Sequence, residues 1–260
     1  ETGGHSNKVL EAHLIVISPG VPDSVPIIQK CREQNIPIVS EIEFASWFTT
    51  SPILALTGSN GKTTTVHLLH EMCVSDGKTS LLGGNVGIPF SENVLWELTS
   101  NINSPVHVLE LSSFQLEHVQ LFSPTVCGIL NISPDHLDRY ENFDAYVTKK
   151  LKLAKQTKKS GCVVYNADDP ILAQSLADIP HSVQFSLTQN PDCHFKLNAS
   201  KVYTGEDENP NIVFELKDTK LKGLHNLQNI LAAATMAHTF DLSSSAMQDT
   251  IVNFTPIHHR

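Results

Sequence analysis

This chain lacks a basic tract, a membrane-length apolar run and a cysteine framework, and each absence removes a class of function. The five cysteines (Cys31, Cys73, Cys127, Cys162, Cys193) stand far apart, odd in number and without a C-x-x-C pair. That usage suggests neither a disulfide scaffold nor a zinc site, and points to a reducing, cytoplasmic setting. No apolar run approaches the roughly 18–20 residues that span a bilayer. The opening ETGGHSNKVLEAH has no basic start or apolar core of a signal peptide, so no membrane partner is expected. It also has no initiator methionine, which points to a fragment. The formal net charge is -9, and the densest basic stretch is Lys149, Lys150, Lys152, Lys155, Lys158 and Lys159. At helical spacing this reads as a solvated face, and no nucleic-acid partner is expected.

What is present can build a core. With 260 residues, 40% hydrophobic and 17% charged, the chain has the material for one large domain or two modest ones. Short β-branched runs alternate with helical patterns, as in a parallel sheet with crossover helices. AHLIVISPG reads as a strand and turn, SVPIIQKCREQN as a helix, and PIVSEIEFASWFTT as a strand end feeding a short helix. Ser51-Pro52 then interrupts the pattern, which places a boundary near residues 47–51. Strands are predicted at ILALTG, VHVLELS, TVCGILNIS, GCVVYNA and VQFSL. Helices are predicted at FDAYVTKKLKLAKQ, HNLQNILAAATMAHTF and SSAMQDTIVNF. CHFKLNASKVYTG and NIVFELKDTKLKG alternate like antiparallel strands and predict a small subsheet appended to the main α/β sheet.

The stretch LALTGSNGKTTTVHLLHEM carries the chemistry. Gly58, Ser59, Asn60, Gly61, Lys62, Thr63 and Thr64 follow a strand and open a helix. Glycines let backbone N–H groups turn inward, the helix start adds its positive end, and Lys62 adds a full charge beside the β- and γ-phosphates. Thr63 would place a hydroxyl on magnesium. The fit to G-x-x-x-x-G-K-[ST] is incomplete, since position 56 is leucine. Downstream, Glu110 ends the strand VHVLELSS and can share the nucleotide's magnesium with Thr63. The segment NISPDHLDRYENFDAYVTKK offers His136 at a strand exit and Lys150 on the next helix, four residues after Tyr146. Read singly, His136 could be a capping histidine, Lys150 a surface lysine and Glu110 a solvent-facing strand end. Together they fall at the carboxyl ends of predicted strands.

ALTGSNGKTTT, GGNVGIP, ELSSFQLE, NISPDHLDRY with its Tyr-x-x-x-Lys, NADD, GLHNLQNILAA and a terminal His-Arg occur in this order. In that series the chain resembles the Mur ligases over essentially its whole length, and ELSSFQLE is similar to the D-glutamate-adding branch. The resemblance implies a central P-loop-type ATP-binding domain at 48–260, preceded at 1–47 by the end of a Rossmann-like unit for a UDP-linked substrate, with the amino-acid-binding domain absent. It implies an ATP-dependent ligase of peptidoglycan synthesis acting on UDP-N-acetylmuramoyl-L-alanine and D-glutamate through an acyl phosphate, and a monomer is expected. Two magnesium ions are implied, one held by Thr63 and Glu110, the other by His136 and a carbamylated Lys150. Catalysis is assigned by the resemblance to Lys62, Glu110, His136 and Lys150. Asn85, Ser112, Gln115 and His136 would meet the muramoyl-alanine end, and Asn226, Asn229 and Arg260 the nucleotide. For Asn226 a helix N-cap competes. His258 departs from the proline usual before His-Arg, and Lys149 stands where a small residue is more common. A sibling Mur ligase, a folylpolyglutamate-synthase-like ligase and a catalytically silent Mur-ligase-like partner are the alternatives. The intact set of charged residues argues against the last.

Overall fold

The computed structural model describes residues 4–100, 102, 104–135, 140–188, 193–198, 201–204, 211–216 and 218–256. Near the N-terminus, β1 (Ile15–Ile17) and β2 (Ile38–Ser40) pair in parallel as a two-stranded sheet, with Ile15 opposite Ile38. The crossover between them is α1 (Pro26–Glu33), begun by a proline that has no N–H to leave unpaired. Ile27, Ile28 and Cys31 of α1 meet Ile17 and Ile38 in a small core of their own. Ser40 then caps α2 (Glu41–Ser46), its hydroxyl accepting from Glu43 N at 3.2 Å. Although α2 follows the small sheet in sequence, Ile42 and Ala45 are buried in the core of the main body.

The main body runs β3 (Ile53–Thr57), α3 (Lys62–Ser75), β4 (Ser80–Gly84), α4 (Phe90–Thr99), β5 (Val106–Glu110), α5 (Ser113–Leu116), β6 (Val126–Ile129), α6 (Phe143–Gln156), β7 (Cys162–Asn166), α7 (Pro170–Leu176) and β8 (Ser182–Ser186). Three short strands follow, β9 (Phe195–Asn198), β10 (Lys201–Thr204) and β11 (Asn211–Glu215), and then α8 (Leu224–Thr239) and α9 (Ser244–Asn253). Among the described residues the sheet order is β11-β10-β9-β8-β7-β6-β3-β5-β4. Pairing is parallel from β4 to β9 and antiparallel through β10 and β11. The expected subsheet is thus continuous with the main sheet. The strand β4 and the helices α4, α5 and α7 have no counterpart among the elements predicted from the sequence.

Because every residue of β3 is buried, the strand reads as an unbroken apolar run rather than an alternation. Leu54 and Leu56 face a core shared with α3, α8 and α9, while Ile53 and Ala55 face one shared with α2, α4, α6 and α7. The sheet is therefore covered on both faces. Strands β5 and β6 flank β3 on opposite sides, and this reversal of strand order opens a crevice at the carboxyl end of β3.

Candidate active site: a phosphate loop with two lysines

The loop leaves β3 at Gly58 and enters α3 through Gly61, whose φ of +82° lies in the left-handed region. Any Cβ at Gly61 would also collide with the Asn229 side-chain oxygen on α8. The backbone conformation favours glycine there, and a larger residue would also displace the Asn229 carboxamide. The first-turn N–H groups of α3 have no intrahelical acceptor, and with the helix dipole they form an anion-binding end.

Two amines converge on this end. Lys62 Nζ donates to Gly58 O and Ser59 O, each at 3.0 Å. Lys150 Nζ reaches Gly58 O from α6 at 2.8 Å. Lys150 is only 2% exposed, and its ammonium sits 4.8 Å from the ring centre of Tyr146, one helical turn earlier. Burial, reinforced by the charge of Lys62, pushes the Lys150 amine down to about 7, against the opposing pull of Asp135 and Glu110. A lysine with such a value is poised between charged and neutral forms near neutral pH.

On the other side of the loop, Thr63 Oγ1 donates to Glu110 Oε2 at 2.9 Å. Glu110 is buried at the end of β5, and its second oxygen accepts from Asn85 Nδ2 at 2.8 Å. Asn85 also donates its backbone N–H to Glu110 O at 2.8 Å. This approach depends on Gly84, at φ +97°, where a Cβ would strike that same carbonyl. Asn85, which the resemblance places against substrate, also orients Glu110. A hydroxyl and a carboxylate placed together beside an anion-binding helix end form an all-oxygen donor set, which suits magnesium. Convergent amines and free N–H groups suit a triphosphate.

Ser112 and Gln115 form a capping box at α5. Ser112 N and Oγ both donate to Gln115 Oε1, at 3.0 and 3.1 Å, and Gln115 N donates to Ser112 Oγ. A cleft of about 560 Å³ lies beside the loop, lined by Asn60, Gly61, Thr64, Asp169, Asn226 and Asn229 among others. Asn226 does not cap α8. Gly223 holds that position, and Asn226 Nδ2 donates to Lys222 O. His136 and Arg260 lie outside the described residues. Asp169, in the NADD stretch, lines this cleft too, although nothing in its residue type marks it beforehand. Its carboxylate caps α7 through Ile171 N and Leu172 N and, with the other oxygen, accepts from Ile132 N at 2.7 Å.

A phosphate loop at the strand-order reversal of a two-faced parallel sheet, with a threonine–carboxylate pair and two amines, defines a domain of the nucleoside-triphosphate-binding class. A model of the Mur ligase middle domain matches residues 56–237, and the chain belongs to the Mur ligase family. UDP-N-acetylmuramoylalanine--D-glutamate ligases of Chlorobaculum tepidum and Chloroherpeton thalassium are 34% and 36% identical to it across 100% of this chain. The chain spans 59% of the length of each. Among solved structures, a UDP-N-acetylmuramate:L-alanyl-gamma-D-glutamyl-meso-diaminopimelate ligase from Neisseria meningitides superposes with a TM-score of 0.70 at 19% identity, covering 97% of this chain and 82% of that one. A UDP-N-acetylmuramoyl-L-alanyl-D-glutamate--2,6-diaminopimelate ligase superposes with a TM-score of 0.68 at 20% identity, covering 95% and 61%. These likenesses show the fold. No helix among the described residues is long and apolar enough to cross a membrane.

Proposed function

We propose that the whole protein is an ATP-dependent ligase that joins D-glutamate to UDP-N-acetylmuramoyl-L-alanine in peptidoglycan precursor synthesis. The convergence of Lys62 and Lys150 on Gly58 O beside the Thr63–Glu110 pair carries the phosphoryl-transfer half of this reading. The choice of D-glutamate rests on the names of relatives that match this chain throughout. Residues 48–260 would form the ATP-binding domain, and residues 1–47 part of the unit that holds the UDP moiety. The protein would act in the cytoplasm as a monomer.

In the proposed reaction a carboxylate oxygen of the L-alanyl group attacks the γ-phosphorus of ATP, the bond to the β-γ bridging oxygen breaks, and ADP leaves. The amine of D-glutamate then adds to the acyl phosphate carbonyl. Collapse of the tetrahedral adduct expels phosphate, the amine loses a proton, and an amide remains. The first step brings two anions together, so its barrier is largely electrostatic. Lys62 and the N–H groups of the first turn of α3 would hold the β- and γ-phosphoryl oxygens and take up their developing charge. Thr63 and Glu110 would hold one magnesium ion, and His136 with Lys150 a second. Magnesium, when bound, screens the charge between the carboxylate and the triphosphate.

For Lys150 to serve as a ligand, its amine must lose its charge. At a value of about 7 a substantial fraction is neutral at physiological pH, and a neutral amine adds to CO2 to give a carbamate and a proton. The resulting carboxylate-like group is an oxygen ligand. Asn85, Ser112 and Gln115 would lie against the muramoyl-alanine end, and Asn226, Asn229 and Arg260 against the nucleotide. The test is incubation of the full-length protein with ATP, magnesium, UDP-N-acetylmuramoyl-L-alanine and single amino acids, following phosphate. Release is expected with D-glutamate alone. Release with a different amino acid, or none with D-glutamate, would overturn the assignment.

A further inference from the structure

The phosphate loop is not free-standing. Ser59 N donates to Asn131 O at 3.0 Å, and Asn60 N donates to Asn131 Oδ1 at 2.9 Å. The Asn131 carboxamide returns a bond from Nδ2 to Asn60 O at 3.1 Å. One side chain thus satisfies both polar groups of a loop residue, much as a neighbouring strand would. Two residues on, Ser133 N donates to Ser59 Oγ at 2.9 Å, and Ser59 Oγ lies 3.0 Å from both Ser133 O and Tyr146 OH. Between these contacts, Ile132 N is held by Asp169 Oδ2.

This clasp explains the departure from the longer glycine-rich consensus. Leu56 lies inside β3, wholly buried and paired with Glu110 on one side and Gly128 on the other. The loop is therefore too short to wrap a phosphate with its own leading residues. In addition, the N–H groups of Ser59 and Asn60 are already committed to Asn131. Only the α3 end of the loop is left to present N–H groups to an anion.

We propose that Asn131 is a positioning residue for the triphosphate: by pairing with the Asn60 backbone it fixes the short loop so that the α3 N–H groups and Lys62 face the β- and γ-phosphates. The clasp acts on phosphate through the loop, from a residue that also lines the cleft beside it. This role rests on the reading of the loop as a triphosphate cradle.

Two measurements on the full-length protein test it. Amide exchange followed by NMR should find Ser59 and Asn60 protected without nucleotide and unchanged by Mg-ATP, while Lys62 and Thr63 gain protection when Mg-ATP is added. Exchange of Ser59 and Asn60 that is fast until nucleotide binds would overturn the clasp. In titration calorimetry, Asn131→Ala should weaken Mg-ATP binding about tenfold, as expected for the loss of two backbone-directed hydrogen bonds, and weaken adenosine binding by a smaller factor. Equal losses for ATP and adenosine, or no loss for ATP, would show that Asn131 has no such role. Wild-type protein that binds no Mg-ATP would overturn the triphosphate reading itself, and the proposed role of Asn131 with it.

Discussion

At position 62 the side chain bonds to carbonyls of its own loop, so its contribution to the fold is small, and under the proposed function its weight falls on phosphate binding. Lys62→Ala should therefore leave the urea midpoint nearly unchanged, within about 0.5 kcal/mol, while lowering the rate of phosphate release by about 10²–10³-fold. Near-normal turnover would remove Lys62 from the phosphate site. The neighbouring Gly61 should behave in the opposite way. Gly61→Ala meets both a left-handed backbone and the Asn229 oxygen. It should cost about 2 kcal/mol in chemical denaturation, because the left-handed backbone strains any Cβ and the Asn229 carboxamide must swing away from it.

Among the elements, the short helix α2 has an effect out of proportion to its length. Its Glu43 is fully buried and gathers the N–H groups of Gln120, Leu121 and Phe122 at 2.8–3.0 Å, together with Trp47 Nε1 at 2.7 Å. Burial alone would raise its carboxyl, but these donors outweigh it and hold the group below the ordinary carboxylate range. The stability it contributes is present above the unfolded-state value and is lost as pH falls through the lower folded-state value. Glu43→Gln should cost about 3 kcal/mol at pH 7. The gap to wild type should close as the solution is acidified below the ordinary carboxylate range. A gap independent of pH would mean that the charge is irrelevant.

Comparison across elements shows where sequence patterns suffice. The loop at 58–64 was readable because its glycines and lysine are contiguous, and Glu110 because it ends an apolar run. Lys150 stood out from Lys149 only through its spacing from Tyr146, and the structure buries Lys150. By contrast, β4 ends in Gly83-Gly84 and imitates a loop. The helix α4 leaves Leu95, Trp96 and Leu98 exposed at 60%, 45% and 57%, which blurs the periodicity that would reveal it. Asn131 was hidden for a different reason. Its partner lies 71 positions away and is bonded through the backbone, so no residue type there signals the pairing.

At the level of the whole molecule, the N-terminal sheet and the main body differ in the size of their cores. Ile17, Ile27, Ile28, Cys31 and Ile38 make up the buried cluster of the former, whereas the latter buries apolar side chains on both faces of its sheet. Small cores open at lower free energy. Native-state amide exchange should find β1, β2 and α1 opening well before β3, β5 and β6, and equal protection in both would indicate a single cooperative unit. The position of β3 has a consequence for how the protein comes into being. Its partners β5 and β6 lie about 50 and 70 residues further along the chain, so a nascent polypeptide leaving the ribosome exposes this largely apolar strand until both have emerged. Non-local pairing of this kind slows assembly and invites self-association. Among the described strands, the one that carries the nucleotide loop waits over the longest stretch of chain for its neighbours, and the ability to grip ATP would wait with it.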